Sequence, residues 1–589
     1  MKLAAVAIDY DGTIAVDGTF DPGAREAIAQ LRLHGIAVVL VTGRRLDDLK
    51  RAAGNLGCFS AIVAENGAVL YFPESGRHAI IGHAPSSRFV DALQRRGLEI
   101  AVGDSVIETD AGRATSVLDV IRALEQPQIL AFNRGRLMVL PPGIAKSIGL
   151  ARVLSTLRLS IHNTIGIGDA ENDHDLLDAC EVGVAVEWGS PALRAVADEV
   201  IPGTGPSAVA PYLRGLTQHL RLSSKQMGRR RLLLGHQHDG QPLHLAIRGR
   251  TVLIAGEPGS GKSWLAGLLC EQLILQGYCL CILDPEGDYR SLEVLPGVVI
   301  MGGDDPPPRA RELTQALRYP DTSVVIDLSK LPQHDKGEYL RELLPLLATL
   351  RRQSGLPHKI LIDEAHYYLG EPYGRHLVDA ELAGYILVTY RVSGIDQHVC
   401  TAGDTVVIVT RETDVHEQAA LRGMCQGTAG AMSGHLFEDL SITEAALLPG
   451  ATESHGAVQR FQIGPRLTSH VRHRTKYLDM PIAEPQAFVF THNGRPGARA
   501  RSLKEFVDQL AHVADPDLAP YLLRHDFSRW LEHVFRDCPL ATHVKAIESR
   551  AATDRTRDLV NSISQAVRAR YEMTSVLSDS APPADNLHG

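Results

Sequence analysis

The sequence predicts an α/β protein with two successive parallel-sheet domains, the first interrupted by a small α/β insertion, and a small, mainly helical domain at the C-terminus. Three observations predict it. Short apolar runs alternate with helical patterns from the first residues onward, the rhythm of β-α-β units with parallel strands. The rhythm fades near residue 216 and starts afresh at residue 251, after a polar, basic stretch. Several apolar runs end in acidic or glycine-rich strings, at the strand ends where open α/β sheets bind ligands.

Within residues 1–215, the apolar run 3–8, a helix over Pro22–Leu33 and the run Ala37–Val41 make the first such unit. Residues 83–140 break the rhythm and read as an inserted module; a helix at 145–157 and a strand at 163–167 resume it. Residues 216–231 read as a linker, basic over 221–231. The second domain, 232–465, places strands at 251–255, 280–283, 323–326, 359–362, 385–389 and 405–410. A basic linker at 466–479 leads to a domain at 480–572 with a short strand at 487–490 and amphipathic helices. The polar tail 573–589 has the composition of a disordered segment.

The chain has 589 residues and a formal net charge of −9, so no global positive field draws it to nucleic acid, although a local basic patch is compatible with that charge. Its eight cysteines form no C-x-x-C pair and none sits at zinc-ligand spacing. Cys279 and Cys281 alternate along a strand-like run and read as core. This usage fits a reducing, cytoplasmic setting. No apolar run reaches the ~18 residues a membrane span needs. The opening residues pass from a short apolar stretch into acidic ones, the pattern of a strand and not of a signal peptide.

The first run ends in Asp9-Tyr10-Asp11-Gly12-Thr13. Two carboxylates two residues apart at a strand's carboxyl end can divide the work, one attacking phosphorus and the other handling the proton. Gly12 permits a tight exit turn. The next run ends in Val41-Thr42-Gly43-Arg44, where a hydroxyl can hydrogen-bond a phosphoryl oxygen. Lys146 opens a helix and can offset phosphate charge. In Gly168-Asp169-Ala170-Glu171-Asn172-Asp173, Asp169 ends a strand and Asp173 follows four residues on, on the same face of the ensuing helix. Oxygen-rich carboxylates there suit Mg²⁺. Helix capping accounts for one such Asp, and surface solvation for a lone lysine. Neither accounts for four pieces at successive element ends.

In order, these four strings resemble the motifs of the haloacid dehalogenase (HAD) hydrolases. Ala64-Glu65-Asn66-Gly67-Ala68 resembles a signature of their Cof-type, sugar-phosphate phosphatase branch, which carries an α/β cap where 83–140 falls. The resemblance covers about residues 1–215 and implies a Rossmann-like sheet and a Mg²⁺-dependent phosphatase. Asp9 would form an aspartyl-phosphate and Asp11 would be the general acid/base. Thr42, Gly43, Lys146 and Asn172 would bind the substrate phosphate. Asp9, the Asp11 backbone carbonyl and Asp169 would hold Mg²⁺, with Asp173 supporting the site. The short cap is similar to those of phosphoglycolate-type enzymes and implies a small phosphorylated metabolite.

A second constellation begins after the run 251–255, with Gly256-Glu257-Pro258-Gly259-Ser260-Gly261-Lys262-Ser263 ahead of an apolar helix. This is the P-loop pattern G-x-x-x-x-G-K-S in its strand–loop–helix context. Backbone N–H groups there wrap the phosphates of ATP, Lys262 reaches the β/γ-phosphates and Ser263 ligates Mg²⁺. A hundred residues on, a run ends in Asp363-Glu364-Ala365-His366, with Asp363 for Mg²⁺ and Glu364 to polarise the attacking water. Between them, Asp284-Pro285-Glu286-Gly287-Asp288-Tyr289 resembles the HerA/FtsK-like ATPases over about 228–465, which implies a RecA-like domain and a homo-oligomer, by clade a hexamer. The clade often has Gln at the sensor position; here it is Tyr390, followed by Arg391. Arg411 reads either as an inter-subunit arginine finger or as a surface arginine. The N-terminal barrel of HerA translocases is not recognisable.

Arg466, Arg472, Arg474 and Lys476, with His470 and His473, read either as phosphate contacts to nucleic acid or as a solvated linker. In the last domain Asp526 or Ser528 is expected to cap a helix whose Phe527, Trp530 and Leu531 pack a core. Three functions fit: a metabolite phosphatase with an ATP-driven regulator, a nucleic-acid translocase with an end-trimming phosphatase, and an ATP-switched scaffold without catalysis. The full set of HAD motif residues favours the first over the third.

Overall fold

The computed structural model describes residues 2–133, 135–218, 230–246, 249–372, 374–379, 381–401, 405–424, 437, 439–441, 443–448, 458–469, 482, 484–492, 495–535 and 537–570. Most of the linker 216–231, the basic residues 470–476 and the tail 573–589 lie outside them. The chain divides into two compact units, Met1–His470 and Val471–Gly589.

The first unit holds two large sheets. One has eight strands in the spatial order Glu199–Ile201, Val182–Val186, Thr164–Gly168, Ala5–Asp9, Ala37–Val41, Ala61–Ala64, Val69–Phe72, Arg77–Ile80. The first six are parallel and the last two close it as antiparallel neighbours. Ala5–Asp9 is buried along its whole length, which is why its sequence is a continuous apolar run and not an alternation. The insertion forms its own sheet, Ile129–Asn133, Arg136–Leu140, Ile107–Asp110 and Ala101–Val102, all antiparallel. The helices Ser87–Arg95 and Ala114–Leu124 bury Phe89, Leu93, Val117 and Val120 with that sheet's Leu137 and Val139 in one cluster.

The second sheet has eleven strands. Seven are parallel, in the order Thr405–Val409, Thr251–Ala255, Tyr385–Thr389, Lys359–Ile362, Leu280–Asp284, Ser323–Asp327, Val298–Gly302. Six of these are the expected strands. Four antiparallel strands extend the other edge: Glu444–Leu448, Gln459–Ile463, Arg231–Gln237 and Pro242–Ala246. Cys279 and Cys281 are buried in this domain's core, where burial pushes both thiols up.

The two sheets meet through buried polar groups. The Cys279 N–H donates to His358 Nδ1 at 2.8 Å, so the other ring nitrogen carries the proton and donates to Asn163 Oδ1 at 3.1 Å. Burial keeps that imidazole's pKa well below its ordinary value. Asn163 Nδ2 in turn donates to the Lys2 carbonyl. Beside it, His162 stacks on Tyr278 with ring centroids 3.7 Å apart. Glu181 faces both, 2.9 Å from His162 Nδ1 and accepting the Tyr278 hydroxyl at 2.9 Å, with Arg230 Nε at 3.4 Å. Removing one partner of a buried charged network leaves the others desolvated. Glu181→Ala is therefore expected to lower the unfolding free energy by about 2–4 kcal/mol, read by denaturant titration. An unchanged midpoint would contradict the interface.

The second unit pairs the strands Phe488–His492 and Arg495–Ala500 and adds five helices among the described residues. Phe488, Phe506, Phe527 and Trp530 meet in an aromatic core. The expected cap differs. Neither Asp526 nor Ser528 caps the Asp526–His533 helix; its first N–H groups, of Phe527 and Ser528, reach the buried Glu548 carboxylate of the next helix. Among the described residues, no helix is long and apolar enough to cross a membrane.

Candidate active sites

The first site lies at the carboxyl ends of the Ala5–Asp9 and Thr164–Gly168 strands, which are hydrogen-bonded neighbours. Asp9 is nearly fully buried. The chain turns away at Gly12, φ 84°, and Trp188 Nε1 donates to the Gly12 carbonyl at 2.7 Å. Lys146, 1% exposed at the start of its helix, donates to Asp9 Oδ1 at 2.7 Å and to Asp173 Oδ1 at 2.6 Å. Asp173 Oδ2 accepts the N–H groups of Asp169 and Ala170 at 3.1 Å each, fixing the fourth string around itself. The Thr13 hydroxyl stands 3.4 Å from Asp9 Oδ2 and 3.3 Å from Asp169 Oδ1.

Asp9, Asp169 and Asp173 each offer an oxygen, and these atoms lie within 4.8 Å of one another. Three carboxylates face one ammonium, an excess of negative charge that a divalent cation offsets, and an all-oxygen set suits Mg²⁺. The electrostatics agree. Burial, with Asp173 and Asp169 close by, holds the Asp9 carboxyl well above its ordinary range despite Lys146. Burial alone would lower Lys146, but Asp173 and Asp9 raise it on balance, so it stays charged.

Thr42 is buried, its hydroxyl accepting the Arg44 N–H at 3.1 Å, and Gly43 is buried beside it. Asn172 keeps both side-chain polar atoms buried with no partner among the described residues, the condition of an amide shaped for a ligand. Asp11 is turned to Arg44, which holds it through Nε and Nη2, both at 2.6 Å. The sequence assigns no role to Arg44, Thr13 or Trp188. Arg44 and Thr13 stood inside the motif strings, whereas Trp188 carried no signal. Gly67 explains part of its own string: a Cβ there would lie 2.0 Å from the Ala145 carbonyl, directly before Lys146.

The second site follows the Thr251–Ala255 strand. Gly256, Gly259 and Gly261 take φ of 149°, 76° and 99°, values that favour glycine, and a Cβ on Gly256 would lie 2.1 Å from Thr410 Oγ1. With Glu257 and Pro258 they form the loop that enters the Lys262–Leu275 helix, where Ser263 is half-buried in the first turn. Lys262 Nζ donates to the Glu257 carbonyl at 2.9 Å and Ser260 Oγ to the same oxygen at 2.6 Å. Asp363 follows the Lys359–Ile362 strand, fully buried, its Oδ1 accepting the Glu364 N–H at 2.9 Å. Glu364 is buried with φ 49°. His366 Nδ1 stands 3.7 Å from Glu364 Oε2 and 3.0 Å from Thr389 Oγ1, and the Tyr390 ring packs on it at 4.3 Å. Asp284 folds its string into a turn by accepting N–H groups from Glu286, Gly287, Asp288 and Tyr289. Arg411 Nε lies 3.2 Å from Glu257 Oε1, beside the P-loop of its own chain.

Arg466 corrects the sequence reading. Its side chain is fully buried, pairs with Glu271 at 2.9 Å and packs on the Trp264 ring. It is a structural tether to the P-loop helix and is not available to a nucleic-acid phosphate.

A buried carboxylate cluster and a glycine-rich loop each stand at the carboxyl edge of a parallel sheet, and the family matches give the enzyme classes, phosphatase and ATPase. The family description "haloacid dehalogenase-like hydrolase" matches residues 6–105 and 99–213, and "Helicase HerA, central domain" matches 239–355. The chain thus joins a HAD-like hydrolase domain to a HerA-type central domain. Asp363 and Glu364 lie beyond the second match. Similar curated proteins include a phosphoglycolate phosphatase of Methanothermobacter thermautotrophicus, 27% identical over 224 residues, 36% of this chain and 98% of that one. A phosphoglycolate phosphatase of Halorubrum lacusprofundi is 29% identical over 229 residues, again 36% and 98%. A solved haloacid dehalogenase-like hydrolase from Bacteroides thetaiotaomicron aligns with 36% of this chain and all of its own, at 18% identity and a TM-score of 0.32.

Proposed function

We propose that the chain is a bifunctional hydrolase: a Mg²⁺-dependent phosphatase for a small phosphorylated metabolite, joined to an ATP-hydrolysing HerA-type domain. The arrangement of Asp9, Lys146, Asp169 and Asp173 around one point, with the unpartnered amide of Asn172 nearby, carries this reading. Asp9 attacks phosphorus, the ester P–O bond breaks and the phosphoryl group passes to the Asp9 carboxylate. Asp11 gives the leaving oxygen its proton, then takes one from the water that attacks the aspartyl-phosphate and frees inorganic phosphate. Thr42, the Gly43 backbone, Lys146 and Asn172 hold the phosphoryl oxygens. Asp9, the Asp11 carbonyl and Asp169 hold Mg²⁺, with Asp173 in support; the ion supplies charge neutralisation.

Arg44 holds both Asp11 oxygens, so the substrate's leaving oxygen would compete with it for that carboxylate. The guanidinium so released suits a carboxylate, in keeping with the phosphoglycolate phosphatases that this domain resembles along nearly their whole length. In the second domain the loop Gly256–Ser263 binds ATP, Ser263 and Asp363 hold its Mg²⁺, and Glu364 orients the attacking water. The HerA match favours one alternative, a nucleic-acid motor in a homo-oligomeric ring; stimulation of ATPase by DNA that falls steeply with salt would reveal it.

The metal is the direct test of the carboxylate cluster. Chelation with EDTA is expected to stop phosphate release, excess Mg²⁺ to restore it, and Asp169→Asn to raise the Mg²⁺ needed for half-activity by roughly tenfold or more. Full turnover in EDTA would contradict the assignment.

A further inference from the structure

The string Ala64-Glu65-Asn66-Gly67-Ala68 has no part in the chemistry above, yet it sits where three elements of the phosphatase site meet. Glu65 and Asn66 leave the Ala61–Ala64 strand with φ of 51° and 56°, a left-handed turn that side chains adopt at a cost. The turn is pinned to the phosphate loop: the Glu65 N–H donates to the Arg44 carbonyl at 2.9 Å and the Asn66 N–H to the Thr42 carbonyl at 3.0 Å. Gly67 abuts Ala145, next to Lys146.

The Glu65 side chain, 2% exposed, reaches the inserted sheet. Its Oε1 accepts the Asp104 N–H at 2.9 Å, and its Oε2 accepts those of Ser105 at 2.8 Å and Val106 at 3.1 Å. These three amides form the turn between the Ala101–Val102 and Ile107–Asp110 strands. The turn fits the carboxylate closely: a Cβ on Gly103 would lie 2.5 Å from Glu65 Oε1. Charge-assisted bonds to backbone N–H groups are about twice as strong as neutral ones, and a buried carboxylate without them would be strongly unfavourable. The Glu65 side chain thus ties the insertion to a turn whose backbone N–H groups hold the phosphate loop and whose Gly67 abuts the lysine helix.

We propose that Glu65 is a positioning residue for the phosphatase reaction, the anchor that sets the inserted sheet's turn 103–106 in register with Thr42 and Lys146. The role rests on the phosphatase reading above. The Glu65 carboxylate acts there beside the Arg45 Nη1 bond to the Val102 carbonyl at 3.2 Å, with Gly103 as its counterpart across the contact.

The test is a double-mutant cycle in the full chain with Glu65→Gln and Gly103→Ala, which strike the same contact from opposite sides. Each is expected to lower kcat/KM for 2-phosphoglycolate at least tenfold and to speed hydrogen exchange of the 104–106 amides at least tenfold, while ATPase stays within twofold of wild type. Because both act through one contact, the double variant is expected to be no worse than the worse single. Independent, multiplicative losses would overturn the proposal, as would unchanged amide exchange in Glu65→Gln or a kcat/KM within twofold of wild type. Asp9→Asn is the control for the underlying reading. If wild type and Asp9→Asn release phosphate alike, the phosphatase reading fails and the reaction role of Glu65 with it. If release depends on Asp9 but not on Glu65, the anchor alone fails.

Discussion

Replacing Asp9 with Asn is expected to lower Mg²⁺-dependent phosphate release by at least about 10³-fold, the scale of losing a nucleophile. An amide keeps the shape and an oxygen for Lys146 Nζ, which now sits 2.7 Å from Asp9 Oδ1, so the fold persists while the attacking carboxylate is gone. The loss should be in kcat, with KM little changed, because the phosphoryl oxygens are still met by Thr42, Lys146 and Asn172. ATPase is expected to survive, since Asp9 touches Lys146 and Thr13 within its own domain. Steady-state kinetics of both activities on one preparation checks this. Loss of both in a folded variant would mean that the two reactions share a site.

The converse change, Lys262→Ala, is expected to cut ATP hydrolysis by roughly 10²-fold or more, the scale of removing a preorganised charge from a phosphoryl-transfer site. Lys262 is buried and donates to the Glu257 carbonyl within its own loop, so its ammonium stands inside the glycine-rich turn. Phosphatase kcat/KM should stay within about twofold. A comparable fall in phosphatase activity would instead show that nucleotide occupancy drives the first site through the shared interface of Asn163, His358, Glu181 and Tyr278.

The sequence made the two sites legible because each motif stands at the end of an apolar run, and runs buried on both faces announce parallel strands. Six of the seven parallel strands in the second sheet were readable on that ground. Arg231–Gln237, Pro242–Ala246, Glu444–Leu448 and Gln459–Ile463 were not: as antiparallel strands on the sheet's outer edge they mix buried and open positions, and partners such as Gly235 and Ile463 lie 228 residues apart. The polar interface was hidden for the same reason. Asn163 and His358 are 195 positions apart, and a lone histidine or asparagine beside an apolar run carries no mark of its partner. Arg44 stood in plain sight within a motif, yet its role depends on where Asp11 turns, which the spacing of the string does not encode. Arg466 misled because charge composition cannot separate a solvated arginine from one buried against Glu271 and Trp264.

The most direct test of the whole account is phosphate release by wild type and Asp9→Asn across 2-phosphoglycolate, sugar phosphates and 5′- or 3′-phosphorylated oligonucleotides, each with and without Mg²⁺. Mg²⁺- and Asp9-dependent turnover of the small metabolites, and none of the oligonucleotides, is the expected result. Asp9-dependent release confined to oligonucleotide ends would contradict it and make the chain a nucleic-acid end-processing machine.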